Sequence, residues 1–174
     1  MNKKSKILYE KYKELVFNVA LHYTQNIEDS EEITQDVFIS IFENIKDFRE
    51  ESTLKTWAYR ITINKSLDFL KSKKRLKRIF FFNSLKIDDQ DKKISIPEIN
   101  HPGIILENKE SVNAIFKGIN QLPPKLKTVI ILLKIEGESQ KETAKIMQIS
   151  TKAVESLFYR AKKKLSIILK DNER

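Results

Sequence analysis

Acidic side chains crowd residues 26–51, and groups of this type can hold a divalent metal ion. The segment carries nine acidic residues against two basic ones, a formal charge of −7. Glu31, Glu32 and Asp36 follow His22 along the chain, a mixture that could in principle support metal-assisted hydrolysis. These acids are not spaced three or four residues from a histidine, and acids are ordinary at a helix start because they favour its dipole. We therefore predict no metal site and no cofactor.

The next segment reverses the charge and adds an aromatic side chain. Residues 55–78 carry nine basic residues against one acid, a formal charge of +8. On a helix, Arg60 and Asn64 share one face, with Trp57 beside them. An aromatic ring can stack on an unpaired base while cations hold the backbone, which predicts nucleic-acid strand opening. The alternative is that Trp57 lies in the core and the polar face is merely solvated.

The whole-chain composition narrows the class of protein. The 174 residues carry a formal net charge of +9, which favours nucleic acid as a partner. The absence of cysteine excludes disulfides and thiolate metal sites, and three glycines are too few for a phosphate-binding loop. We find no signal peptide and no apolar run long enough to span a bilayer, so we expect a cytoplasmic protein.

Apolar periodicity predicts an all-α fold. We expect two small helical domains, at 1–75 and 106–174, joined by a flexible linker at 76–105. Helices are predicted near 5–25, 30–47 and 53–71, the second capped by Asp29 with Glu32 and the third by Ser52 or Thr53. The Phe80–Phe82 triplet falls in the predicted linker.

The C-terminal part has the pattern of a helix-turn-helix. Ser139 caps a short helix to about Met147, the turn covers Gln148–Ser150, and a long helix runs from Thr151 to about Leu169. Gln148 stands where glycine is common, and Thr143 where an aliphatic residue is common. The alternative is an ordinary helical hairpin with a basic face. In the helix-turn-helix the second helix enters the major groove and projects five side chains outward: Lys152, Ser156, Tyr159, Arg160 and Lys163.

Two long stretches resemble extracytoplasmic-function sigma factors. DSEEITQDVFISIFENIKDFREESTLKTWAYRITINKSLDFLKSKKR (29–75) is similar to region 2 of that family, and LPPKLKTVIILLKIEGESQKETAKIMQISTKAVESLFYRAKKKL (122–165) is similar to region 4. The specific parts are EITQDVF at 32–38, FREESTLKTWAYRITIN at 48–64, ESQKETA, and VES followed by RAK. Their order, the intervening linker and the length also fit the family.

The resemblance implies three contact surfaces. Helix 30–45 would dock on the clamp helices of the largest polymerase subunit through Glu32, Gln35, Asp36, Phe38 and Phe42. Loop 48–56 and helix 57–71 would recognise and open the −10 element, with a flipped base captured by the loop. The residues implied for that role are Arg49, Ser52, Thr53, Trp57, Arg60, Asn64 and Lys71.

Helix 151–165 would read the −35 element through the five outward side chains. Two residues depart from the family pattern. Glu50 stands where many relatives have glycine, and Glu155 stands where some have a basic residue. The latter makes the −35 sequence preference specific to this chain. The Phe80–Phe82 triplet would pack between domains, line the polymerase RNA channel or meet an anti-sigma factor.

The resemblance also implies the partners. These are bacterial core RNA polymerase, promoter DNA and an anti-sigma factor, often membrane-bound, which would hold the protein at the inner membrane face. No enzymatic activity and no small-molecule substrate are expected. Two rival interpretations stay open: a free-standing helix-turn-helix regulator, and a helical metal-dependent nuclease using Glu31, Glu32 and Asp36.

Overall fold

The computed structural model describes residues 3–45, 48, 52–84 and 109–172. The predicted all-α fold is confirmed, and no strand occurs within those ranges. Along the described residues seven α-helices follow one another, with one π-helical turn after the fifth. They are α1 (Lys3–Thr24), α2 (Ile27–Asn44), α3 (Leu54–Ser84), α4 (Lys109–Asn120), α5 (Pro124–Ile130), the π-helical turn (Ile131–Ile135), α6 (Gln140–Met147) and α7 (Thr151–Asn172).

Helices α1, α2 and α3 pack together as an N-terminal bundle. Each contributes an apolar stripe because its buried residues recur every three or four positions. From α1 come Tyr12 and Val16, and from α3 comes Ala58. The stripe of α2 supplies half of this first core: Ile33, Val37, Phe38 and Ile41.

Two of the predicted boundaries in this bundle are wrong. Helix α2 begins at Ile27, earlier than predicted, because the Asn26 side chain accepts a hydrogen bond from the Asp29 backbone N–H at 2.8 Å. Helix α3 runs on to Ser84, well past the predicted end at 71. Lysine, arginine and leucine at 71–78 are good helix formers, so nothing in that run stops the helix. The predicted linker therefore includes a helical start.

Local sequence features mark the ends of the C-terminal helices. Pro123 precedes α5, and its carbonyl accepts the first helical bond, from Leu126, at 2.9 Å. Gly137 has φ +69, the left-handed conformation that ends a helix at low cost. The Ser139 hydroxyl accepts from the Glu142 N–H at 3.1 Å and caps α6 as predicted.

A second core joins the two halves of the chain. It combines Val19 and Tyr23 of α1 and Tyr59 and Ile63 of α3 with apolar residues of α5, α6 and α7. Tyr23 and Tyr59 are almost fully buried. Burial of a large apolar side chain stabilises a fold by roughly 1.5–3 kcal/mol, so these tyrosines stabilise the contact between the two halves. The predicted domains pack directly on each other.

Candidate nucleic-acid interface

The long helix α7 presents the predicted DNA-reading face. Val154 and Ala161 are fully buried and fix this helix against the C-terminal core. The Ser150 hydroxyl accepts from the Ala153 N–H at 3.1 Å and so caps its first turn. On the opposite face, the five side chains predicted to project outward are all exposed: Lys152, Ser156, Tyr159, Arg160 and Lys163.

The turn before α7 has helix-turn-helix geometry. Gln148 lies in the left-handed region, with φ 55 and ψ 46, which explains why glycine is common at this position. The Ile149 N–H donates to the Ala144 carbonyl at 3.0 Å and closes the turn. Thr143 is fully buried where an aliphatic residue is common, and its hydroxyl has no hydrogen-bond partner among the described residues. The backbone tolerates both departures, and the pattern is a true helix-turn-helix.

The start of α3 carries the residues predicted for the −10 element. The Thr53 hydroxyl accepts from the Thr56 N–H at 3.1 Å, so Thr53, one of the two predicted candidates, caps α3. Trp57 is half-buried, with its ring centroid 5.1 Å from that of Phe48. It is therefore part core and part surface, between the two interpretations offered by the sequence. Asn64 is exposed on the same helix.

The other residues of this predicted set differ in accessibility. Ser52 is half-buried and Lys71 is exposed, so both lie at the surface. Arg60 is half-buried because its Nη2 donates to the Lys145 carbonyl of α6 at 2.7 Å. Arg49 lies outside the described residues. The described members of the set all lie on α3 or in the turn before it. Arg60 differs from the others in that its side chain is hydrogen-bonded to the backbone of the C-terminal half.

The outer face of α2 is polar with one apolar residue. Glu32, Gln35 and Asp36 are exposed, as a docking face requires, and Ile39 beside them is 56% exposed. Phe38 is 3% exposed and packs in the first core.

The Phe38 side chain thus supports α2 from beneath instead of lying on its exposed face, and its contact with polymerase stays a prediction. Phe42 is half-buried against the same core, with its ring centroid 5.8 Å from that of Phe38. The exposure of Ile39 was not predicted from the sequence. Residues 37–39 are all apolar, so their types alone do not show which of them faces solvent.

Neither a metal centre nor a membrane span is found in the parts of the chain that the structure describes. Glu31, Glu32 and Asp36 do not form such a group, and no three His, Asp or Glu side chains in those parts are placed to hold a metal ion. No described helix combines the length and the apolar character that crossing a bilayer requires.

A polar cluster between the two halves was missed by the sequence reasoning. Tyr59 donates its hydroxyl towards Glu136 Oε2 and Glu138 Oε1, each at 3.0 Å. Lys55 Nζ lies 2.6 Å from Glu138 Oε1, and His22 Nε2 lies 3.1 Å from Glu136 Oε1. Burial, together with the two neighbouring carboxylates, raises the pKa of Tyr59 above its usual value. Its hydroxyl is a donor at every physiological pH.

Lys127 is the second unpredicted feature of the contact between the halves. It is 5% exposed, and its ammonium donates to the Tyr23 carbonyl at 2.9 Å and to the Asn120 side chain. The neighbouring Tyr23 hydroxyl and Thr128 hydroxyl share a hydrogen bond of 2.6 Å. Burial, with a smaller contribution from Lys74, lowers the pKa of Lys127 to about 7.

Two family models match the chain, one in each half. The model for sigma-70 region 2 matches residues 8–76, and that for sigma-70 region 4 matches residues 113–165. The first covers α1, α2 and most of α3, and the second covers the helix-turn-helix with the helices before it. The chain belongs to the sigma-70 family and, within it, is an extracytoplasmic-function sigma factor.

Individual relatives carry the same description. The ECF RNA polymerase sigma-E factor of Haemophilus influenzae is 28% identical over 90% of this chain and 82% of its own length. The Escherichia coli K12 protein of that name is 26% identical over 90% and 81%.

Two solved structures are similar in fold. The sigma factor RpoE of Bartonella quintana, in complex with the anti-sigma factor NepR, has a TM-score of 0.64 at 20% identity, covering 97% of this chain and 98% of that one. CnrH, in complex with the cytosolic domain of CnrY, has a TM-score of 0.66 at 21% identity, covering 98% and 90%.

Proposed function

We propose that this protein binds bacterial core RNA polymerase and directs it to a set of promoters through −10 and −35 recognition and −10 melting. The main support is that sigma-70 regions 2 and 4 occur in order on one chain. The accessible basic face of α7 is the physical observation that fits best, since Arg and Lys contact phosphates and guanine edges. In this proposal polymerase does the chemistry and the chain itself is not an enzyme.

Each of the three predicted surfaces would bind a different partner. Glu32, Gln35 and Asp36, with Ile39, would bind polymerase, because exposed acids around an apolar residue suit a basic docking site. The first half of α3 would hold the opened −10 strand, with Trp57 stacking on a base and Arg60 on the backbone. Helix α7 would enter the major groove of the −35 element.

An anti-sigma partner is part of the proposal. Both similar solved structures are complexes with a partner protein, and one of them is of a sigma factor with an anti-sigma factor. A protein that acts on polymerase and chromosomal promoters works in the cytoplasm, and a membrane-bound anti-sigma factor would hold it at the inner membrane face. Phe80–Phe82, in the last part of α3, is one candidate contact for that partner.

Run-off transcription tests the function directly. Core polymerase is combined with a genomic promoter library, with and without the protein. We expect protein-dependent transcripts whose start sites share spaced −35 and −10 elements, which would also identify the promoter sequence. If no transcript depends on the protein while duplex DNA is still bound, the chain is a free-standing regulator instead.

The predicted −35 face has a measurable electrostatic signature. Each phosphate neutralised by a cation contributes about 0.9 to the slope of log binding constant against log salt. We expect Lys163→Ala to reduce this slope by about one unit on every duplex. Ser156→Ala should leave the slope unchanged and alter the preference among −35 sequences. Fluorescence anisotropy with labelled duplex across a salt series measures both.

The control for this experiment is an exposed lysine outside α7. Lys125→Ala removes the same charge from the start of α5. Its salt slope should match that of the unaltered protein. Equal reductions in the two lysine variants would mean that the chain binds DNA through its net charge alone, which would contradict a defined face on α7.

A further inference from the structure

The outward face of α7 contains one acidic side chain, that of Glu155. Along residues 151–165 it is the single acid beside five basic residues. Glu155 is exposed, and it lies three residues after Lys152 and four before Tyr159, so these side chains are neighbours on one face of the helix. Val154 is fully buried and fixes the rotation of α7 against the core. The acid therefore lies on the side of the helix that would meet DNA.

Glu155 has no ion-pair partner among the described residues, which distinguishes it from other helical acids of the chain. Three of those acids pair with the lysine three positions after them. They are Glu10 with Lys13 at 2.6 Å, Asp68 with Lys71 at 2.9 Å, and Glu142 with Lys145 at 2.7 Å. Glu155 has Phe158 and Tyr159 three and four positions after it, and neither carries a charge. Its carboxylate oxygens are thus available to a donor outside the chain.

A carboxylate at this position is unsuited to the phosphate backbone. It repels phosphate, and it accepts hydrogen bonds but has none to donate to a phosphate oxygen. Lys152 and Arg160 on the same helix are the side chains that suit phosphates. In a helix-turn-helix the first residues of the second helix contact base edges, and Glu155 is the fifth residue of α7. The group on DNA that fits Glu155 is therefore the edge of a base.

The major groove narrows the choice to one base. Guanine and thymine present hydrogen-bond acceptors there, which repel a carboxylate. Adenine presents its N6 amine beside the N7 acceptor, so a carboxylate that approaches the amine also meets a lone pair. Cytosine presents its N4 amine without an acceptor. An acceptor-only side chain is therefore best matched by cytosine.

We propose that Glu155 selects a cytosine in the −35 element by accepting a hydrogen bond from its N4 amine. This inference rests on the proposed function, since it assigns one base contact to the helix that would read that element. The same carboxylate weakens binding to other duplexes, because its repulsion of phosphate remains when no cytosine is present to offset it. Glu155 thus acts against wrong sequences as well as for the right one.

Selection from a library of duplexes with a randomised window tests this assignment with the full chain. Bound duplexes are recovered and sequenced. We expect the unaltered protein to enrich cytosine at one position of the selected sequence, roughly tenfold over each other base. Glu155→Gln should change the preference at that position alone to adenine, because an amide accepts from N6 while donating to N7. Glu155→Ala should leave that position without a preference.

Asp171→Asn is the matched control. It removes the same charge from an exposed position of α7 near the end of the helix, beyond the outward-facing set. It should keep the cytosine preference, and any change in overall affinity that it shares with Glu155→Gln is an effect of net charge. Thermal unfolding checks that each variant is folded, and Glu155→Ala serves as the second test beside the isosteric glutamine.

Several results would overturn the assignment to Glu155. The cytosine preference could persist in folded Glu155→Gln and Glu155→Ala, or disappear equally in Asp171→Asn. The unaltered protein could also prefer another base at the position that the two Glu155 variants alter, or show no base preference at any position. None of these outcomes depends on transcription. Failure of run-off transcription, with a cytosine preference that still depends on Glu155, would instead remove the proposed function and leave the base contact standing.

Discussion

Asp36→Arg is expected to abolish transcription that depends on this protein while leaving its fold and its duplex DNA binding intact. Asp36 is exposed on α2, and its closest cation, Lys65 Nζ, lies 3.9 Å away in an exposed pair of little structural weight. Disrupting a buried charge pair at a protein interface costs about 2–5 kcal/mol, a loss of thirtyfold or more in affinity. Reversing the charge adds repulsion on the same face.

Two titrations measure this effect: binding of the labelled protein to core polymerase, and run-off transcription at several protein concentrations. Glu10→Arg is the control, because it makes the same charge change at an exposed position of α1. It should behave like the unaltered protein. Polymerase binding by Asp36→Arg as tight as that of Glu10→Arg would remove α2 as the docking face and restore the free-standing regulator.

The sequence was most informative where one local rule decides the structure. Ser139 and Thr53 cap helices, Gly137 ends one, and α7 faces outward because Val154 and Ala161 fall on the opposite side of its period. Each of these depends only on neighbours a few residues away. The helix-turn-helix and its exposed face could therefore be predicted residue by residue.

Contacts between distant parts of the chain could not be predicted in that way. Glu136 and Glu138 look like solvated acids flanking a glycine, and only the fold brings them to Tyr59, nearly eighty positions away. Lys127 reads as one more surface lysine, although α1 buries it. Phe38 and Ile39 are adjacent apolar residues, and a shift of one position decides which is core and which is surface.

Lys127 is expected to make the stability of the folded protein rise with pH above neutrality. Its pKa is lowered to about 7, first by burial and then by Lys74, from an ordinary value of 10.5. Below pH 7 the lysine is protonated in both the folded and unfolded states, so it adds no pH dependence. Between pH 7 and about 10.5 the unfolded chain binds more protons, and the free energy of unfolding therefore increases with pH.

The expected gain is about 1.4 kcal/mol per pH unit at most, and roughly 2 kcal/mol between pH 7 and pH 9, because the folded-state lysine is still about half-protonated at pH 7. The other groups around the ammonium do not compete in this window. Asn120 does not titrate, and burial raises the pKa of the Tyr23 hydroxyl so that it stays protonated. Lys74 on α3 acts only by repelling the charged form.

Lys127→Met should remove this rise. Methionine fills a similar volume and needs no proton, so at pH 7 the variant should be at least as stable as the unaltered protein, and its advantage should shrink as pH increases. Urea unfolding at pH 7, 8 and 9 gives the free energy of unfolding of both proteins. Titration of the other groups cancels in the difference between Lys127→Met and the unaltered protein. Lys125→Met, at an exposed position of the same helix, should parallel the unaltered protein.

If the free energies of unfolding of Lys127→Met and the unaltered protein differ by the same amount at every pH from 7 to 9, Lys127 is not neutral in the folded protein. The Tyr23 carbonyl at the C-terminal end of α1 would then be holding a charged ammonium, as a helix C-terminus can.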